Sequence, residues 1–243
     1  MENRFWEKWN KKSEREVKAI NSLKEAIELV KDRISEEEIV SIYVKGSFIR
    51  REMVEGSDVD VLVVLKSEKS FGKLLILGEE FKERFRPPIQ LSKYLIDELR
   101  SGKRIVDREG DKASPRRVAR HLEFYKRVYG QDLGEKKLDA QNDREGLEGM
   151  VTAFRDVFLP KYRKEEFEFS RIVKQTLWLV WNAQRFKGKD PPYSWNEMAS
   201  AVEDNHIAHK ALKYREEGLP EEKKRKEYIE ELELYLSEVE GYL

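Results

Sequence analysis

The chain has 243 residues, 39% of them hydrophobic, enough to bury a substantial core in one large or two small domains. Its charged fraction is 40%, yet 48 Lys and Arg balance 48 Asp and Glu and aromatic residues reach 11%, which argues against a disordered polyelectrolyte and against wholesale attraction to nucleic acid or membrane. The absence of Cys excludes disulfides, thiolate metal sites and a cysteine nucleophile, and 3 His leave little for a His-rich metal centre. No apolar run approaches the roughly 18 residues of a membrane span, and the opening MENRFWEKWNKK has no hydrophobic block of the signal-peptide kind, so a cytoplasmic protein is expected. The Lys/Glu-rich composition fits the surface ion-pair networks of heat-adapted proteins.

Val17, Ile20, Leu23, Ile27 and Val30 recur at three- and four-residue steps, which predicts a first amphipathic helix within residues 3–33. The period then changes to that of strands, at Ile39–Val44 and at Asp58–Leu65, on either side of Gly46–Ser57. A helical stretch over 70–84 follows, and Pro87-Pro88 leads into a third strand over Ile89–Ile96. Ser114-Pro115 opens a helix expected to run to Gly130, with Val118, Leu122, Tyr125 and Val128 or Tyr129 on its apolar face. Polar, Gly-containing residues 131–149 read as a linker. Beyond it, segments 150–163, 165–187, 194–204, 206–217 and 220–240 read as helices broken by Pro160, Gly188, Pro191-Pro192 and Gly218/Pro220. The expected architecture is an α/β domain with a small mixed sheet over residues 1–140, then an all-helical bundle over 141–243, with the active cleft between them. The first part carries a small excess of base and the second an equal excess of acid.

The segment YVKGSFIRREMVEGSDVDVLVVL, residues 43–65, carries the chemistry. Gly46-Ser47 closes a strand and turns the chain, so backbone N–H groups and the Ser47 hydroxyl can meet a phosphate. The next strand opens with Asp58 and Asp60, which a period of two places on one face, opposite Val59, Val61 and Val63. Two close carboxylates call for a neutralising cation, and Mg²⁺ favours one or two carboxylates together with substrate phosphate oxygens. Such an arrangement suits nucleotidyl transfer.

Gly46-Ser47 followed ten residues later by Asp58-Val59-Asp60 resembles the signature of the DNA polymerase β-like nucleotidyltransferase superfamily. Among its members the chain looks most like the two-domain aminoglycoside adenylyltransferases and the small nucleotidyltransferases that work as antitoxins beside helical partners. Fainter likenesses lie at Ser101–Asp107 and at Tyr129–Leu133. The resemblance implies an NTP, with ATP first, as substrate, and Mg²⁺, in one or two ions, on Asp58 and Asp60. It implies phosphates against Gly46 and Ser47, with Arg50 and Ser57 as flanking nucleotide contacts, and AMP transfer to a hydroxyl of a small molecule. The family's third carboxylate, a metal ligand or general base, falls here on Gln90, and a carboxamide can neither take the proton nor hold Mg²⁺ well. Several readings stay open: Asp97 or Asp107 serves in another register, the acceptor's environment supplies the base, AMP passes to a protein or RNA partner, or the protein is a regulatory module that binds nucleotide with little transfer.

Other features read as structure. Lys45 and Arg51 flank the motif within reach of a phosphate but are set aside as solvated surface charges, and the basic stretch from Arg100 to Arg127 is read as an exposed helix face, with a superficial Arg116–His121 likeness to helical RNases set aside. His206 and His209 are read as surface or capping residues, and Trp178, Trp181 and Phe186 as packing.

Overall fold

The computed structural model describes residues 3–106, 113–134 and 137–243. The chain forms two compact units, Met1–Gln141 and Asn142–Leu243. The first holds helix α1 (Glu14–Arg33), strand β1 (Ile39–Lys45), the short helix α2 (Ser47–Arg50), β2 (Val59–Leu65), α3 (Phe71–Arg84), β3 (Ile89–Leu95), α4 (Ile96–Ser101), α5 (Pro115–His121) and β4 (Lys126–Gly130). The strands make one mixed sheet in the order β3-β2-β1-β4. β1 is antiparallel to both β2 and β4, and β2 is parallel to β3.

Both faces of this sheet are covered, which is why β2 is almost continuously apolar rather than alternating. Ile42, Val44, Val59, Val61, Val63 and Ile89 turn to one side and pack with Leu23, Ile27 and Val30 of α1 and Leu74, Leu77 and Phe81 of α3. Tyr43, Leu62, Val64 and Tyr94 turn to the other, beneath Leu99, Val118 and Leu122. On this second face the apolar residues of β2 give way at Asp60 to the motif's acids.

The first helix lies within the expected 3–33 and occupies its later part: a single 3-10 turn at Phe5–Lys8 precedes α1, which starts after Ser13. Ser13 Oγ accepts the Glu16 N–H at 3.2 Å while Glu16 Oε2 accepts the Ser13 N–H at 2.8 Å, a reciprocal cap that ends the helix at this point. The helix opened by Ser114-Pro115 stops at His121 and a 3-10 turn, and Lys126–Gly130 is a fourth strand. Pairing with β1 satisfies the backbone of this segment, and Val128 enters the core on the α1 side, a tertiary gain that overrides helical spacing.

The second unit holds α6 (Asp143–Ala153), α7 (Leu159–Arg163), α8 (Phe169–Phe186), α9 (Trp195–Ser200), α10 (Ile207–Glu217) and α11 (Glu222–Glu240). α6 begins inside the expected linker because Asn142 and Glu145 form another reciprocal cap. A π-helical turn at Phe154–Phe158 joins α6 to α7 just before Pro160, which has no N–H to give the preceding turn. His206 caps α10, its Nδ1 accepting the Ala208 N–H at 3.2 Å. Among the described residues no helix is long and apolar enough to cross a membrane.

Candidate active site

The strand-turn-strand segment brings Gly46 and Asp60 into direct contact. Lys45 lies opposite Asp60 in the β1–β2 register, so the turn that follows Lys45 folds back over the carboxylate. Gly46 has φ +79°, and a Cβ added there would overlap Asp60 Oδ2 and stand 3.2 Å from its Cγ. Glycine is therefore required twice over, for the backbone conformation and for the close approach. Ser47 is the first residue of α2, immediately beyond this contact.

Asp60 is held from the other side as well. Lys45 Nζ is 3.5 Å from Asp60 Oδ1, with both side chains about three-quarters buried. Asp58 stands just before β2 on the acid face by strand alternation. Gln90 is the parallel-register partner of Asp60 and is exposed. A row of Lys45, Asp60 and Gln90 thus crosses three neighbouring strands. Asp97 lies in the first turn of α4, exposed and bonded to Arg100 at 3.2 Å, while Asp107 lies outside the described residues.

The flanking residues are engaged within the fold. Arg50 Nε bonds Glu52 Oε2 at 2.9 Å in a pair whose side chains are both buried. Ser57 Oγ accepts the Val54 N–H at 2.9 Å and the Ser57 N–H returns to the Val54 carbonyl at 3.1 Å, which closes the turn leading into Asp58. Arg51 ends α2 in the left-handed conformation, at φ 60°. Its Nε reaches Glu16 Oε1 at 2.7 Å and its Nη2 reaches the Lys11 carbonyl at 2.7 Å, while the guanidinium stacks on Trp9 at 5.0 Å. Burial opposes the charge on Glu16, but the hydrogen bonds from Arg51 and Ser13 carry its carboxyl below the usual range. Phe48, fully buried in α2, packs edge-on against Phe5 and tilted against Trp9. The turn at Gly46 and α2 are thus clamped from behind by residues 5–16.

Cations and aromatic groups complete the face. Burial pushes the Tyr125 phenol up, and Arg117, Asp60 and Arg50 all act on it electrostatically. His121 is buried, and its Nδ1 donates to the Arg117 carbonyl at 2.8 Å. Burial pulls this imidazole down to about 3, and the charges of Arg117, Arg120 and Lys45 add to the effect of burial while the bond to Arg117 opposes it. Because the unfolded histidine titrates near 6.5, the unfolded chain binds the extra proton between about 3 and 6.5, and stability from this group falls as the pH drops through that window. In urea unfolding, His121→Leu is expected to lose about 2 kcal/mol less than the wild type between about pH 7 and pH 5. Equal losses would show that the folded imidazole titrates normally.

Lys45, set aside in the sequence as a solvated charge, is instead partly buried against Asp60. The signal that finds it is the hairpin register, which sets the last residue of β1 against the second acid. Arg116, considered with His121, instead pairs with Asp139 at 3.1 Å. Among the described residues no cluster of three or more His, Cys, Asp or Glu is arranged to hold a metal.

The family model for Polymerase beta, Nucleotidyltransferase matches residues 16–109, which include the whole Gly46–Asp60 motif and β3. Compared by sequence with curated proteins, the chain has no significant match. Among solved structures it is similar to spectinomycin adenyltransferase AAD(9) from Enterococcus faecialis, determined with ATP and spectinomycin. That likeness has a TM-score of 0.52 at 15% identity and covers 91% of this chain and 99% of the other, and it concerns the fold.

Proposed function

We infer the activity from one premise: through residues 16–109 the chain carries a nucleotidyltransferase domain of the polymerase β-like superfamily. The reading is Mg²⁺-dependent transfer of a nucleoside monophosphate, AMP from ATP, to a hydroxyl of a small molecule. The observation that carries it is the contact between Gly46 and Asp60, which sets a side-chain-free phosphate turn directly on a carboxylate. The donor set fits Mg²⁺, since Asp58 and Asp60 offer hard oxygen ligands and leave the remaining positions to water and triphosphate oxygens. When bound there, the ion would offset the charge that develops on the leaving pyrophosphate.

The residues have distinct tasks in this reaction. Gly46 lets the backbone approach the triphosphate, and Ser47 supplies a hydroxyl and an N–H as donors. Asp58 and Asp60 would hold the cation, whose chemistry is to orient the triphosphate for in-line attack. The acceptor oxygen bonds to that phosphorus, the bond to the oxygen bridging to the β-phosphate breaks, and pyrophosphate leaves with the electron pair. The hydroxyl proton is lost to a base other than Gln90, whose carboxamide cannot take it, and so to solvent. A small-molecule acceptor is supported by the similar fold of an enzyme solved with ATP and spectinomycin.

Gln90 at the side of Asp60 favours a second reading, a module that binds NTP and transfers it poorly. One experiment separates the two: α-labelled ATP and Mg²⁺ incubated with a host extract and with a panel of aminocyclitols, the products resolved by size. Label in a small product, lost in Asp58→Asn, is the expected result. Label in a large product would move the acceptor to protein or RNA, and nucleotide binding without any label transfer would establish the second reading.

A further inference from the structure

We propose that the Lys45 ammonium supplies the positive charge that a second metal ion would otherwise bring, so that Asp58 and Asp60 serve a single divalent cation. This rests on the nucleotidyl-transfer reading and specifies how its charge is balanced. The argument starts from the row across β1, β2 and β3, in which Lys45 and Gln90 are the two register partners of Asp60. One neighbour of the carboxylate is a cation and the other an uncharged amide. A second divalent ion within about 4 Å of the first requires anionic oxygens of its own to offset mutual repulsion. On this face the position where such an oxygen would come from β3 is a carboxamide, and the position on β1 is already positive.

Geometry gives Lys45 a route to the substrate. Its Nζ faces Asp60 Oδ1 at 3.5 Å, whereas the Gly46 backbone packs on Oδ2, so ammonium and phosphate turn flank the same carboxylate. A triphosphate lying against Gly46 and Ser47 therefore comes within the sweep of the lysine side chain. Lys45 has cationic company on this face, since Arg117 and Arg120 act together with it on the imidazole of His121. Asp58 and Asp60 would hold the one divalent ion, and the Lys45 ammonium, now on Asp60, would then offset charge on the α-phosphoryl oxygens. Lys45 makes no covalent bond in this step, and the bonds formed and broken are those described above.

The test counts ions rather than turnover. Mn²⁺ bound per chain is measured by dialysis and electron paramagnetic resonance, at saturating α,β-methylene ATP, for the wild type and for Lys45→Met/Gln90→Asp. The wild type is expected to hold one ion and the double variant two. Without metal, the wild type is expected to bind the analogue about tenfold more tightly than Lys45→Met, the effect of roughly one charge-assisted contact, with Lys45→Arg restoring part of the difference. Two ions on the wild type with analogue bound would overturn the proposal alone, and loss of one of them in Asp107→Asn would locate the missing ligand. Unchanged metal-free affinity in Lys45→Met would overturn it equally. No analogue binding under any condition would overturn the nucleotidyl-transfer reading and this inference with it.

Discussion

Asp60→Asn is expected to lower nucleotidyl transfer by about three orders of magnitude or more, the scale seen when a charge-stabilising group is removed from a preorganised site. The substitution keeps the shape of the side chain, so the packing against Gly46 survives, but it removes the negative charge that pairs with Lys45 and that, in the proposed reaction, would hold the cation. Its cost to stability should be modest, because the Lys45 contact is long at 3.5 Å and the carboxamide still offers it an oxygen. Label transfer and thermal unfolding measured on the same preparation check both halves. Activity within tenfold of the wild type, in a folded variant, would remove Asp60 from the chemistry.

Gly46→Ala should damage both stability and function. At φ +79° and ψ −154° an L-residue is strained, at a cost of about 1–3 kcal/mol, and the new methyl would also overlap the Asp60 carboxylate. The strand ends are fixed by the sheet, so the turn or the aspartate must move. Either displacement separates the turn from the acid that the proposed function pairs with it. The expected result is a lower urea midpoint together with loss of measurable binding of α,β-methylene ATP in the presence of Mg²⁺. A variant as stable as the wild type, with unaltered binding, would mean that the tight contact has no functional weight.

The motif was legible because its information is local. Alternation places Asp58 and Asp60 on one face without any knowledge of neighbouring strands, and Gly46-Ser47 announces its own turn. The partners were not legible. That Lys45 faces Asp60 depends on the hairpin register, and that Arg50 is buried against Glu52 depends on the path of the chain after α2. β4 escaped notice because Val118, Leu122 and Tyr125 satisfy helical spacing up to the point where pairing with the distant β1 takes over. The same distance hides Glu98, a fully buried carboxylate that accepts the N–H groups of Leu95, Ile105 and Val106 and so fixes the chain beyond α4. Two local signals were simply read past: Ser13 with Glu16, and Asn142 with Glu145, mark helix starts that the apolar period alone does not resolve.

The clamp behind α2 has a thermodynamic consequence for ligand capture. A glycine-containing turn that was free to move would lose conformational entropy whenever it closed on a triphosphate, and that loss would subtract from affinity. Here the ordering is completed on folding, because Phe48 is wedged against Phe5 and Trp9 and Arg51 is locked to the carboxylate that caps α1. Residues 5–13 contribute no group to the acid face and precede the stretch matched by the family, yet they determine how rigid the phosphate turn is. Variation in this short aromatic strap would therefore tune nucleotide affinity from behind the site, through the entropy of the turn rather than through any contact with the nucleotide.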